Sequence, residues 1–461
     1  MNKRKNDYSK GSLAGNILRL SGPMTLALFI NLLYSVVDRM YIGHMADDGR
    51  LALTGIGLAF PIIAVITAFQ SLCSMGGSPL FSIARGENDD ERAELIMGNA
   101  FFLLIVFGTA VSILGLALKE PLLRLAGASE ATFQYANDYI SIYLVGTIFV
   151  MISLGMNPFI NAQGFAGTGM LTVLLGAVAN IVLDPVFIFA LKMGVKGAAL
   201  ATVISQFISC LWVIRFLTGP KALLRIKIRN LRPRAKIIKK IISLGLTGFT
   251  MAITNSAVSF LYNASLSGLG GDIYVGVMTV INSLREIVHM PLSGLMSGSQ
   301  PVLGYNYGAK QYSRVRKAIK FQTVICMSYT LLITLVIMAV PKIFIVIFNK
   351  DPELISVGVR TIRYYFCAFF MMALQMTGQN TFVSLGKAKQ AVFFSLFRKA
   401  IILIPLILLM PSITGMGAEG IFLAEPVSDI IGGTACFTTM MLTVWRRLKG
   451  LEREEGFVSA Q

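Results

Sequence analysis

Long apolar runs recur about every 38 residues along this 461-residue chain, twelve in all, at roughly 14–42, 51–77, 95–118, 136–160, 168–190, 197–217, 237–267, 273–302, 318–348, 355–384, 390–411 and 417–445. A helix needs about 20 apolar residues to cross a hydrocarbon core about 30 Å thick. In lipid every backbone amide must find its partner within the segment, which makes each run a helix. Several runs exceed the minimum and must tilt or extend past the hydrocarbon. Composition agrees: 55% of residues are hydrophobic and only 14% charged, against about a quarter charged in soluble domains. The reading is an all-α integral membrane fold of twelve transmembrane helices. No separate soluble domain is visible, and the first run is too long, with no cleavage-type ending, to be a signal peptide.

The net charge of +18 resides in alternate loops. Lys221, Arg225, Lys227, Arg229, Arg232, Arg234, Lys236, Lys239 and Lys240 crowd one connection that contains no acid. Lys310, Arg314, Arg316, Lys317 and Lys320 follow span eight; Lys3, Arg4, Lys5 and Lys10 precede span one; Arg446, Arg447 and Lys449 follow span twelve. One side collects about 26 Lys/Arg and the other about 8. By the positive-inside rule both termini and the 218–236 loop of this multi-pass chain are cytoplasmic. No basic domain exists to carry nucleic-acid binding. Cys73, Cys210, Cys326, Cys367 and Cys436 all fall inside spans without a CxxC pair, and read as small packing residues.

The chain repeats itself. Pro79-Leu-Phe-Ser-Ile-Ala-Arg-Gly86 leaves span two as Pro301-Val-Leu-Gly-Tyr-Asn-Tyr-Gly308 leaves span eight. Asp184-Pro185 followed by Gly197-Ala-Ala-Leu-Ala-Thr202 pairs with Ile404-Pro405 followed by Gly420-Ile-Phe-Leu-Ala-Glu425. Pro23 with Asp38 pairs with Thr247 and Tyr262. The expected organisation is two six-helix lobes, 1–217 and 237–461, joined by a basic linker at 218–236. They are parallel repeats, because six is even. An old duplication without moving parts would give the same repeat but would not need buried acids.

Those acids carry the chemistry. A carboxylate inside a membrane helix costs roughly 2.5–3.5 kcal/mol on insertion scales, so it faces other helices or water and marks an ion or proton path by default. Asp184 sits deep in span five, with Asn180 four residues earlier on the same face. Asp38 in span one and Thr202 in span six reach the same depth, about 8–10 Å below the outer face at 1.5 Å per residue. Such an oxygen set suits a shared proton or a small hard cation. Pro23 and Pro185 are the expected hinges, since proline removes a backbone donor. The second half holds a different polar set: Tyr262, Arg285, Glu286, His289, Arg398, Glu425 and Asp429. A structural ion-pair network and a transport role explain it about equally well. Asp47-Asp48 and Asp89-Asp90 lie in loops and read as solvated.

With Val37-Asp38-Arg39-Met40-Tyr41-Ile42-Gly43, Asn161-Ala162-Gln163-Gly164, Asn180 through Pro185, Gly194 through Gln206, Gln300 through Ala309 and Leu423 through Asp429 in view, nearly the whole chain resembles the multidrug and toxic compound extrusion (MATE) family, most closely its MepA-type branch. The resemblance implies a non-enzymatic antiporter that exports organic cations against H⁺ or Na⁺, needs no cofactor beyond that ion, and works as a monomer in the bilayer. In related members an Asp, Asn, Asp and Thr of the first lobe bind the coupling cation, and Asp38, Asn180, Asp184 and Thr202 match them one by one; they are metal ligands only if the ion is Na⁺. Span seven lacks the acid that another branch carries, and Glu286 and His289 depart from the pattern. Two rivals stay open. A lipid-linked oligosaccharide flippase of the same superfamily would use cleft-facing arginines such as Arg285 and Arg398. An intramembrane prenyltransferase would need clustered aspartates at helix ends, which are missing.

Overall fold

The computed structural model describes residues 7–45, 49–348 and 351–459; Lys3, Arg4, Lys5, Asp47 and Asp48 lie outside them. Every long element is helical. The first half contains α1 (Leu13–Gly43), α2 (Gly49–Gly86), α3 (Asp90–Leu125), α4 (Glu130–Ala162), α5 (Ala166–Pro185) and α6 (Gly194–Thr218). The second contains α7 (Ala235–Gly308), α8 (Tyr312–Ala339), α9 (Pro341–Val346), α10 (Pro352–Phe366), α11 (Met372–Ser384), α12 (Ala388–Leu396), α13 (Ile404–Thr414), α14 (Ala418–Ile421), α15 (Ala424–Met440) and α16 (Arg446–Ser459).

Among the described residues, eleven stretches are long and apolar enough to cross a bilayer. One of them, α7, has 74 residues and breaks at Gly271, where φ is 69° and ψ is −167°. Only glycine adopts that backbone without strain. A straight helix of this length would measure about 110 Å, far more than one crossing requires. The break therefore separates spans seven and eight, which makes twelve spans among the described residues. Large apolar side chains such as Ile113, Leu114, Val182, Phe260 and Ile413 are exposed along these helices, as expected where lipid replaces water. Cys73, Cys210, Cys326 and Cys436 are buried packing residues; Cys367, expected to be another, is exposed.

The repeated motifs end helices in the same way. Gly86 closes α2 and Gly308 closes α7, and two residues later Asn88 and Lys310 each take φ 58°. Asp89 then caps α3 by accepting from the Arg92 amide at 3.0 Å, so it has a structural role beyond solvation.

By packing, the chain forms two compact units. One holds Asp7 and residues 18–252; the other holds residues 8–17 and those from 253 onward. The first turns of α7 thus pack with the first unit. Glycine explains this: a Cβ at Gly245 would lie 1.8 Å from the Leu72 carbonyl oxygen, and one at Gly76 would lie 2.0 Å from that of Ile241, so α2 and α7 meet backbone to backbone. Within the second unit, Arg314 donates to the carbonyls of Tyr8, Lys10 and Gly11, and the rings of Tyr8 and Tyr305 meet edge to face at 5.5 Å.

The basic connection is fastened to the first unit rather than hanging free. Buried Glu94 of α3 accepts from Lys227 Nζ at 2.6 Å and from Asn230 Nδ2 at 3.2 Å. Gln163 Oε1 accepts from the Leu224 amide at 3.0 Å, and Asn99 Oδ1 accepts from the Arg234 amide at 2.8 Å. Gly98 leaves room for the strap, since a Cβ there would stand 2.4 Å from the Asn230 carbonyl oxygen.

Candidate cation site

Residues four apart on a helix share a face, and α5 uses that spacing for Asn180 and Asp184, both buried. Asn180 Nδ2 donates to Asp184 Oδ1 at 3.2 Å and reaches Thr202 Oγ1 of α6 at 3.5 Å. The Thr202 hydroxyl donates back to the Ala198 carbonyl at 3.0 Å, leaving its lone pairs toward Asn180. Asp38 of α1 completes the group, its carboxyl facing that of Asp184 at hydrogen-bonding range. All four residues expected at the site therefore converge within the first unit.

Their electrostatics are unusual for the inside of a protein. Among the described residues neither Asp38 nor Asp184 forms an ion pair; Arg39 acts on Asp38 only through its field. Asp38 Oδ1, Asp184 Oδ2 and Asn180 Oδ1 are buried and accept no hydrogen bond. Buried oxygens without a donor are expensive, and two facing carboxylates repel unless a proton or cation lies between them. Lone pairs alone, on oxygen alone, are the donor set of a proton or a small hard cation.

Three tyrosines that the sequence analysis passed over complete the surroundings. Tyr34 stands beside both carboxylates, one helical turn before Asp38. Tyr139 lies against Thr202 and stacks on Tyr143 with ring centroids 6.0 Å apart. The i, i+4 relation of Tyr34 to Asp38 was the available signal; nothing local marks Tyr139.

Of the two expected hinges, Pro23 lies inside an unbroken α1. Pro185 ends α5, and Val186–Ala190 continues as a π turn. Proline cannot donate to the preceding turn, and π turns often mark functional positions. A Cβ at Gly197 would sit 2.7 Å from the Phe187 carbonyl carbon, so α6 begins pressed against this turn.

The second unit presents the opposite case. Arg398 Nη1 donates to Asp429 Oδ1 at 2.7 Å and to Glu425 Oε1 at 3.1 Å. Arg285 Nη1 reaches Glu425 Oε1 at 3.4 Å and the Tyr365 hydroxyl at 3.0 Å, while Tyr262 donates to Glu425 Oε2 at 3.3 Å. Five of the seven residues named from the sequence thus form one network, together with Tyr365, which the sequence did not suggest. Its acids are paired, and so are the two arginines that a pyrophosphate site would use. His289 stands aside, bonded to Ser293 at 2.7 Å. Glu286 is exposed and has no hydrogen-bond or ion-pair partner among the described residues.

One family model, MatE, matches residues 23–186 and 248–409. The multidrug export protein MepA of Staphylococcus haemolyticus is 23% identical over 410 residues, covering 89% of each chain. MepA of Staphylococcus saprophyticus is 21% identical over 438 residues, covering 95% of each. A solved outward-facing multidrug resistance MATE transporter superposes with a TM-score of 0.89 at 22% identity, over 98% of this chain and 100% of that one. A MOP superfamily transporter from Pyrococcus furiosus gives 0.89 at 22% identity, over 97% of this chain and 99% of that one. With both halves of the chain matched by one model and the whole fold by solved members, this multi-pass membrane protein belongs to the MATE family of transporters.

Proposed function

We propose that the chain is a cation-coupled antiporter that exports organic, mostly cationic amphiphilic drugs by alternating access; its relatives carry the name multidrug export protein. The observation that carries the reading is the facing pair of half-buried Asp38 and buried Asp184, set among oxygens and lacking an ion-pair partner among the described residues. A transporter needs a site that is costly when empty of its ion, so that loading changes the favoured conformation. In this reading Asp38, Asn180, Asp184 and Thr202 take up H⁺ or Na⁺ from outside. Loading changes the bend near Pro23 or Pro185, weakens the hold on the drug, and lets the ion leave inward. The sequence halves 1–217 and 237–461 act as the two lobes, with 218–236 and both termini cytoplasmic, and the monomer is the working unit.

Glu286 supports a cationic substrate. It lies on a polar face of span eight with Thr279, Ser283, Ser293 and Ser297, and a mid-span carboxylate on such a face turns to water rather than lipid. The flippase reading loses its main support, because Arg285 and Arg398 already hold acids. The test is countertransport in proteoliposomes. Adding ethidium on the side it leaves from should drive H⁺ or Na⁺ the other way, measured under separately imposed pH and Na⁺ gradients. Ethidium movement that ignores both gradients would overturn the coupling.

A further inference from the structure

A small cavity lies directly below the acid pair, its wall largely apolar but carrying several hydroxyl and amide side chains, and its counterpart in the second unit is filled by a positive charge. The cavity measures about 20 Å³ and is lined by Ser153, Thr172, Asn180, Thr202, Gln206 and Ser209, among others. That is room for about one water. Asn180 is 2% exposed, and its Oδ1 has no donor. Ser153 Oγ bonds Gln206 Oε1 at 2.7 Å across the α4–α6 contact, and Ser209 Oγ bonds the Thr172 carbonyl at 3.0 Å. The space exists because residue 176 is glycine: a Cβ there would stand 2.6 Å from Ser209 Oγ.

The internal repeat identifies the corresponding place. Gly86 and Gly308 are 222 residues apart, as are Gly164 and Gly386, which sets Gly176 against Arg398; the offset falls to 220 by Pro185 and Pro405, so packing decides the register between them. From Gly197 to Gly420 the offset is 223; applied along α6 it takes Thr202 to Glu425, Gln206 to Asp429 and Ser209 to Gly432. The packing follows this register. Gly176 faces Ser209 in the first unit, and Arg398 faces Gly432 in the second, where a Cβ would meet Arg398 Cγ at 2.6 Å. Arg398 bonds Glu425 and Asp429, the counterparts of Thr202 and Gln206. One unit carries its cation covalently; the other has in the same place a small space with several side-chain oxygens in its wall.

From this we infer that the cavity is a second, deeper station for the coupling cation, entered from the Asp38–Asp184 pair past Asn180 and Thr202. The occupant is a small hard monovalent cation or a hydrated proton. Its oxygens are neutral, so the ion is held more weakly there than between the carboxylates, as a station on the way out requires. The inference rests on the coupling role of the acid pair.

Gln206→Leu removes the polar wall opposite Ser153 without touching either carboxylate. Ethidium efflux from proteoliposomes of the full chain should slow about tenfold or more, under a Na⁺ gradient at equal pH if the ion is Na⁺, or under a pH gradient without Na⁺ if it is H⁺. A wild-type rate in Gln206→Leu, with Asp184→Asn inactive, makes the cavity a packing void and leaves the acid pair standing. A wild-type rate in Asp184→Asn removes the coupling reading itself. Should Gln206→Leu fail to fold, Ser209→Cys in a background with the five native cysteines replaced by alanine, treated with Ag⁺, a thiol-seeking monovalent cation small enough for the cavity, gives the answer. The station requires that the thiol react, that buried Val213→Cys on the same helix does not, and that efflux then stop. An unreactive Ser209→Cys, or full efflux after modification, overturns the proposal.

Discussion

The two units handle buried carboxylates in opposite ways. In the first, Asp38 and Asp184 face each other among neutral oxygens and have no ion-pair partner among the described residues. In the second, Glu425 and Asp429 are held by Arg398, with Arg285, Tyr262 and Tyr365 closing the network. The two sites are related by the repeat, since Tyr262 answers Asp38 and Glu425 answers Thr202. A duplicated scaffold thus holds one site that lacks a charge and one whose charge is complete. The lesson is that position in a fold does not define a site; the presence or absence of a fixed counter-ion does. A neutralised network holds its surroundings in one geometry, while an incomplete one can change with its occupant.

The comparison breaks most visibly at Arg398. Arg398→Met leaves two buried acids with only the more distant charges of Arg285 and Lys399, and should destabilise the second unit by about 3–5 kcal/mol, read as thermal unfolding in detergent. Adding Glu425→Gln and Asp429→Asn should restore most of that loss. No recovery would mean that Arg398 acts by packing on Gly432 rather than by charge. Asp184→Asn makes the contrasting prediction, because removing one of two facing carboxylates relieves repulsion; stability should hold or rise.

Smaller effects test the scaffold around the sites. Gly245→Ala forces apart the backbones of α2 and α7 and should cost about 1–3 kcal/mol; an unchanged unfolding temperature would show that the two helices separate freely. Glu94→Ala removes the acceptor that fastens Lys227 and Asn230, at about 1–3 kcal/mol for the groups left unpaired. Limited proteolysis should then cut within 221–234, a region that should resist in the parent protein. Thr202→Val keeps the shape but loses an oxygen of the proposed cation site. It should cost no more than about 1 kcal/mol in stability while raising the ion concentration needed for half-maximal efflux.

The sequence is explicit about some of this and silent about the rest. Span number follows from hydrophobicity, because lipid permits only helices for an isolated run, and the length of α7 changed nothing but the position of a bend at Gly271. Asp38, Asn180, Asp184 and Thr202 were visible because an acid inside an apolar run has few explanations. Tyr34, Tyr139 and Tyr365 were not, since tyrosine is at home in any membrane helix and only packing aims its hydroxyl. The pairing of Arg398 with Glu425 and Asp429 was one of two open readings, because sequence gives depth but not direction around the helix. The fastening of the basic loop by Glu94, Asn99 and Gln163 depends on three residues separated by up to 70 positions and a glycine at 98, which no local pattern signals.

Gradient-driven ethidium efflux from proteoliposomes carrying Asp38→Asn or Asp184→Asn tests the central claim most directly. Each variant should be folded, should be as stable as the parent, and should show no efflux under either a pH or a Na⁺ gradient. Parent-like efflux from both would mean that the uncompensated acids of the first unit do not couple transport, and the account would be wrong.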